Sequence, residues 1–284
     1  MPIKNIILDV DGVIIGSKEN HNFPQPHPNI IKKLAHLQAS NVNVSFCTAR
    51  SGFVTEPIVS RAGLNTFHVT DGGGLVRNFL DNKTVLKVRL NSKNSQKLIF
   101  DLFAQKVFFE VYTLKQCLMP SYLSNHPVAK IHQQILQFSP VFFSDPGLVI
   151  KKETLKITLA ANNLNQKNQI NKILKNYQSL FDINWTLHPS RKNLRFVVIT
   201  PKSISKGQGV DYLIKHCGFK LENTLGVGDT IGDWDFIQNC GFKATLANAT
   251  PDLKQKISKQ NQNSFIGGHV DENGLLSIFK HFNI

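Results

Sequence analysis

The chain contains no run of apolar residues that approaches the length of a membrane span, which sets aside a membrane-embedded protein. Its four cysteines, Cys47, Cys117, Cys217 and Cys240, form no CxxC pair. Scattered in this way they read as reduced thiols of a cytoplasmic protein, and no zinc site is expected. The histidines are equally dispersed, without HExxH or a similar ligand spacing. The opening run MPIKNIILDVDGV meets an acidic pair at once, unlike a secretory signal. Internal repeats and low-complexity tracts are missing too. The Asn-, Gln- and Lys-rich stretch Lys254–Asn263 is short enough to be a helix end and loop. An aromatic stripe of the RNP kind and a helix-turn-helix are both absent, so a nucleic-acid surface ranks last as an explanation of the charge.

What is present is a balance of 41% hydrophobic and 18% charged residues over 284 positions, the profile of a soluble globular chain of one large or two ordinary domains. The formal net charge of +14 is unevenly spread. Residues 81–195 hold 17 Lys and Arg against 6 Asp and Glu, and the remainder holds 16 against 13. A basic middle segment can steer anionic substrates. A solvated, lysine-rich surface is the simpler reading of the same numbers.

The patterning divides the chain in three. Strands are expected at Lys4–Leu8, Asn43–Cys47 and Thr66–Val69, with helices at Pro28–Ser40 and Gly52–Ala62 between them. This βαβαβ rhythm implies a parallel sheet with right-handed crossovers. From about Thr84 the rhythm changes. Strands are predicted at Thr84–Leu90, Val107–Thr113, Leu155–Ala160, Asn184–Leu187 and Leu194–Thr200. Helices are predicted at Ser95–Gln105, Val128–Phe138 and, long and amphipathic, Asn165–Phe181. Such a series predicts an α+β unit, an antiparallel sheet with helices on one face. After Pro201 the first rhythm returns: helices Gly207–Cys217 and Ile231–Asn239, strands Thr224–Val227 and Phe242–Leu246, a helix opened by a capping Thr250 and Pro251, and a last helix at Gly274–Phe282. The fold class is α/β, a doubly wound parallel sheet of residues 1–80 and 198–284 interrupted by an α+β insert at 81–197.

Two acidic groups follow apolar strands. Asp9 ends the run KNIIL, with Asp11 and Gly12 directly after it, and Asp229 ends LGVG, with Asp233 four residues on. Carboxylates fit poorly in a buried strand, so each group marks a point where the chain leaves the sheet. In open α/β sheets those carboxyl ends border the ligand crevice. Oxygen ligands from separate strand ends suit a hard Mg2+ ion, beside which an ionised carboxylate can attack phosphorus. Helix N-caps or loop solubilisers are the plain alternative for any one of these residues. That alternative weakens for two such clusters at opposite ends of the chain.

With these residues in view, the chain resembles the haloacid dehalogenase-like (HAD) hydrolases, whose four motifs occur in order. Asp9-Val10-Asp11-Gly12-Val13 resembles the first and Ser45-Phe46-Cys47-Thr48-Ala49-Arg50 the second. Lys206, in Ile204-Ser205-Lys206-Gly207, resembles the third, and Gly228-Asp229-Thr230-Ile231-Gly232-Asp233 the fourth. The insert between the second and third motifs, with Ile199-Thr200-Pro201-Lys202 before Ser205, is similar to the Cof-type and sucrose-phosphate-phosphatase-like branch with a large α/β cap (type IIB). Three positions depart from that branch: Gly232 stands where Asn is usual, Gly72-Gly73 replaces an Asn-Gly, and Val13 replaces Thr.

The resemblance implies a Mg2+-dependent phosphatase of small phosphorylated metabolites, a sugar phosphate or a phosphoglycolate-like acid, working through an aspartyl-phosphate. It implies Asp9 as nucleophile, Asp11 as general acid and base, and Thr48 and Lys206 as the remaining catalytic residues. Phosphate would be held by Asp9, Gly12, Thr48, Ala49, Arg50 and Lys206, and the metal by Asp9, the Asp11 carbonyl, Asp229 and Asp233. Thr48 as a helix cap, Lys206 as a surface lysine and Arg50 as part of a surface ion pair stand beside those roles. A phosphomutase of the same superfamily and a catalytically silent protein binding an anion or nucleic acid remain as alternatives. Arg89, Lys130, Lys151 and Lys152 are the insert's candidates for reading the leaving group. The oligomeric state is not legible.

Overall fold

The computed structural model of the chain describes residues 2–188, 191–202, 204–260 and 262–284; Asn261, inside the stretch Lys254–Asn263, lies outside them. The chain forms two compact units, Met1–Lys87 with Ser205–Ile284, and Val88–Ile204.

The first unit begins with β1 (Asn5–Leu8), α1 (Pro28–Ala39), β2 (Asn43–Phe46), α2 (Gly52–Ala62), β3 (His68–Thr70), β4 (Leu75–Asn78) and β5 (Lys83–Lys87). Every residue of β1 is buried, as a strand covered on both faces requires. Helix α1 has Pro28 in its first turn and buries Ile30, Ile31, Leu34 and Leu37, one apolar stripe at helical spacing. After the second unit the chain returns with α6 (Lys206–Cys217), β12 (Thr224–Gly228), α7 (Trp234–Ile237), β13 (Phe242–Leu246), α8 (Pro251–Ser258), β14 (Ser264–Gly267) and α9 (Leu275–His281). The main sheet has the order β14-β13-β12-β1-β2, every pairing parallel. A parallel bridge between Cys47 and Val69 carries the layer on to β3, which opens an antiparallel sheet with β4 and β5. The core holds Ile6 and Leu8 of β1, Val44 and Phe46 of β2, Leu34 of α1, and Leu225 and Val227 of β12.

The second unit contains α3 (Ser92–Ala104), β6 (Phe109–Tyr112), β7 (Cys117–Pro120), α4 (Pro127–Leu136), β8 (Val141–Phe143), β9 (Lys156–Ala161), α5 (Leu164–Leu174), β10 (Phe181–His188) and β11 (Arg191–Pro201). Its sheet runs β10-β11-β9-β6-β7-β8, antiparallel except for the parallel pair β7 and β8. One face presents Phe109, Val111, Ile157, Leu159, Val197 and Ile199 to Leu98 and Leu102 of α3 and Ile170 and Leu174 of α5. The expectation of helices on one face alone is corrected here. Alternation along the strands leaves Met119, Ala160, Leu194 and Phe196 on the other side, where Val128 and Ala129 of α4 cover them.

Three other expectations change. The predicted helix Asn165–Phe181 stops at Leu174, passes through a 3-10 turn at Lys175–Tyr177 and gives way to β10 at Phe181. Tyr177 and Phe181 are nonetheless buried and stack at 6.3 Å, so their spacing imitated a continuing helix. The helix expected at Ile231–Asn239 is a 3-10 turn at Ile231–Asp233 followed by the four residues of α7, because a capping box between Thr230 and Asp233 tightens the entry. Thr250 occupies the cap position of α8 without a side-chain capping bond; its backbone N–H donates instead to the Asp229 carbonyl at 2.8 Å. Strands β4, β7, β8 and β14 had no counterpart in the patterning. Among the described residues no helix is long and apolar enough to cross a membrane.

Candidate active site

The pairing of β1 with β12 explains how acidic groups 220 positions apart meet. The strands are parallel neighbours with Leu8 opposite Val227, so Asp9 and Asp229 leave the sheet at the same edge. The Asp9 N–H still donates to the Val227 carbonyl at 2.9 Å. Order reverses between β12 and β2 on either side of β1, the switch point at which open α/β sheets form their crevice. Carboxylate oxygens of Asp9, Asp229 and Asp233 lie within 4.8 Å of one another there.

Lys206 joins this group. Its Nζ stands 3.0 Å from Asp9 Oδ2 and 2.7 Å from Asp233 Oδ1. It is the first residue of α6, where the positive helix end disfavours a cation, so the two carboxylates hold it against the macrodipole. Its side chain is 16% exposed, which does not fit a surface lysine. Burial works against the ammonium charge, but Asp9 and Asp233 outweigh it and raise the pKa. Asp233 is fully buried, and its Oδ2 accepts from the N–H groups of Asp229 and Thr230 and from the Thr230 hydroxyl at 2.9 to 3.0 Å. The Asp9 and Asp229 carboxyls are both shifted upward, chiefly by burial. For Asp9 the nearby Lys206 opposes the shift, and for Asp229 the charges of Asp9 and Asp233 add to it.

This donor set fits a divalent cation. Three carboxylates face a single ammonium, and the Asp229 carboxylate accepts no hydrogen bond from the described residues. Desolvated carboxylates that repel one another without enough donors are stabilised by a hard cation with oxygen ligands.

The loop after β1 turns through Gly12, at φ +75, where a Cβ would stand 1.9 Å from Asp229 Oδ2. Only glycine allows the backbone that close to the carboxylate. The Asp11 carboxylate is not part of the three-carboxylate cluster. It receives Arg50 Nε at 2.8 Å and the second guanidinium arm at 2.7 Å, with Arg50 4% and Asp11 57% exposed. Burial opposes the Arg50 charge, and Asp11, by charge and hydrogen bonds, more than compensates. Thr48 is buried one residue beyond the bridge of Cys47; its hydroxyl accepts from the Arg50 N–H at 3.1 Å and does not cap α2, whose cap position is Ser51. Ala49 is exposed on the same turn. Of the basic candidates in the second unit, Arg89 pairs with Glu153 at 2.7 Å, and Lys130, Lys151 and Lys152 are exposed.

Asp71 was missed. It is 3% exposed, and its Oδ2 accepts from the Gly52 N–H at 3.0 Å and the Thr70 hydroxyl at 3.1 Å. Its backbone N–H donates to the Arg50 carbonyl at 2.8 Å, and the Gly72 N–H to the Thr48 carbonyl at 3.1 Å. It thus braces the turn that bears Thr48 and Arg50. The signal was available: Asp71 follows the strand expected at Thr66–Val69 and precedes a glycine, as Asp11 does after the first strand.

A carboxylate cluster with a buried lysine at the switch point of a doubly wound sheet can hold a divalent cation beside an anionic ligand. A model of the haloacid dehalogenase-like hydrolases matches residues 6–278. Phosphatase YwpJ of Bacillus subtilis is 20% identical over 298 residues, covering 98% of this chain and 99% of that protein. A haloacid dehalogenase-like hydrolase from Bacteroides thetaiotaomicron has a solved structure of the same fold, with TM-score 0.83, 16% identity and 98% of each chain covered. A solved sugar phosphatase of HAD subclass IIB gives 0.75 at 18% identity over 99% of each chain. The chain belongs to the haloacid dehalogenase-like hydrolase family and is a phosphatase of its Cof-type branch.

Proposed function

We propose that this phosphatase is Mg2+-dependent and hydrolyses a small phosphorylated metabolite, a sugar phosphate or a phosphoglycolate-like acid, through an aspartyl-phosphate on Asp9. The observation that carries the reading is the convergence of Asp9, Asp229 and Asp233 within 4.8 Å around Lys206. Asp9, Asp229, Asp233 and the Asp11 carbonyl are the groups that would hold Mg2+. When bound, the ion supplies positive charge that screens the phosphoryl oxygens and keeps the carboxylates ionised.

An Asp9 carboxylate oxygen attacks phosphorus, and the bond to the leaving alkoxide breaks as Asp11 gives that oxygen a proton. Asp11, now ionised, takes a proton from water. The resulting hydroxide attacks the same phosphorus, the bond to Asp9 breaks, and inorganic phosphate leaves. Arg50 donates to both Asp11 oxygens and so orients the carboxyl that moves these protons. Lys206, the Thr48 hydroxyl and the loops that carry Gly12, Ala49 and Arg50 offset and orient the phosphoryl oxygens, so catalysis is mainly positioning and charge. The second unit, with 16 Lys and Arg against 5 Asp and Glu in residues 88–204, is assigned the choice of an anionic leaving group. The sugar-phosphatase name of the IIB neighbour supports the substrate class.

The test is phosphate release from p-nitrophenyl phosphate and from a metabolite panel, with Mg2+ and with EDTA. Wild type should need Mg2+, and Asp9→Asn should lose activity. Full activity in Asp9→Asn would overturn the reading.

A further inference from the structure

Asn248 lies in the turn between β13 and α8, at the same edge of the sheet as Asp9 and Asp229. Its Nδ2 donates to the Gly12 carbonyl at 2.9 Å, across 236 positions of sequence. Its Oδ1 accepts from the Val270 N–H at 3.0 Å. Both ends of the amide are committed, and a flipped amide would set oxygen against a carbonyl and NH2 against an N–H.

What Asn248 grips matters for the site. The Gly12 N–H donates to the Ile15 carbonyl at 2.8 Å, so with Asn248 on the carbonyl both peptide groups of Gly12 are fixed. The Gly12 Cα is thereby pressed on the Asp229 carboxylate, where space for even one more carbon is lacking. The peptide before Gly12 contains the Asp11 carbonyl. Asp229 is held from the same side, through the Thr250 N–H to its carbonyl at 2.8 Å, and the preceding Gly228 carbonyl accepts from the Thr245 hydroxyl at 2.7 Å. The end of β13 therefore grips the loops after β1 and β12 through three bonds, and Asn248 supplies the one that reaches the loop of Asp9.

We propose that Asn248 is a positioning residue that sets the affinity of the carboxylate site for its divalent cation by fixing the Gly12 peptide against Asp229. It touches neither carboxylates nor phosphate. The inference rests on the reading of the site as a Mg2+ centre. Groups that orient metal ligands from outside the ligand set are worth about 10- to 100-fold in metal affinity or activity.

A simply structural role predicts something different. Asn22 is buried, and its Nδ2 donates to the Val270 carbonyl at 2.9 Å, so it anchors the same turn as Asn248 without reaching Gly12. The experiment is a Mg2+ titration of the full chain followed by thermal unfolding, for wild type, Asn248→Ala, Asn248→Ser and Asn22→Ala, alongside Mg2+-dependent phosphate release from p-nitrophenyl phosphate. Wild type should gain stability with Mg2+. Both Asn248 variants should need about 10-fold or more Mg2+ for half of that gain, with the same displacement in the activity titration and an unchanged KM for p-nitrophenyl phosphate at saturating Mg2+. The serine variant keeps the test open if alanine unfolds the chain. Asn22→Ala should lower the unfolding temperature and keep the wild-type Mg2+ midpoint. A wild-type midpoint in the Asn248 variants, or an equal displacement in Asn22→Ala, overturns the inference while leaving the Mg2+ site in place. Absence of any Mg2+ stabilisation in wild type removes the reading of the site and the inference with it.

Discussion

The buried guanidinium of Arg50 holds the half-exposed carboxylate of Asp11 by two bonds, 2.8 and 2.7 Å long. The two partners are therefore not equivalent. Arg50→Met keeps the buried stem and lets Asp11 return to water, at a cost of about 1 kcal/mol. Asp11→Ala strands a charge in the interior, at about 3–5 kcal/mol. Urea unfolding of both variants at pH 7 should rank them in that order, and equal losses would count against the asymmetry.

His68 is buried, with Nδ1 accepting from the Phe46 N–H at 3.0 Å, and burial pushes its pKa down to about 4. The unfolded chain takes up this proton near pH 6.5 and the native state does not. Its contribution is therefore whole above pH 6.5 and is lost as pH falls towards 4, roughly 3 kcal/mol in all. His68→Asn keeps an acceptor for Phe46 and does not titrate. The difference in unfolding midpoint between wild type and variant should shrink from pH 7.5 to pH 4.5. Parallel pH profiles would refute the assignment.

The parts of the site that were legible are contiguous runs. Asp9 and Asp229 each close an apolar strand, and in-register parallel pairing brings such strand ends together without further information. Lys206 was legible only by resemblance, since a lysine at a helix start has no local signature. The partnership of Arg50 with Asp11 and the grip of Asn248 on Gly12 depend on side-chain directions across 39 and 236 positions, which periodicity does not encode. In the second unit the strands β7 and β8 have four and three residues, too short for alternation to register.

Two glycines should respond oppositely to substitution. Gly73 has φ +109, and a Cβ there would lie 1.9 Å from the Ser205 carbonyl oxygen, at the start of α6. Gly73→Ala meets backbone in a disfavoured conformation and must displace Lys206; a loss of about 3 kcal/mol and of most activity is expected. A Cβ on Gly232 meets only the Thr230 hydroxyl, at 3.6 Å. Gly232→Asn should stay within about 1 kcal/mol of wild type. Thermal unfolding and phosphate release of the two proteins decide it, and comparable damage from both would refute the steric account.

Removing a charge from the carboxylate cluster should stabilise the metal-free protein. The Asp229 carboxyl is pushed up by burial and then by the charges of Asp9 and Asp233. A carboxyl raised in the native state favours its neutral form there, so the metal-free protein loses stability as pH rises through neutrality. Asp229→Asn keeps the shape without the charge. In EDTA at pH 7.5 it should unfold at least about 1 kcal/mol later than wild type, a few degrees for a chain of this size. With Mg2+ the order should reverse, because wild type gains the free energy of binding and the variant, short of one ligand charge, does not. A variant that is less stable than wild type in EDTA would show that Asp229 is satisfied without a cation. Unchanged stabilisation by Mg2+ would place the ion elsewhere.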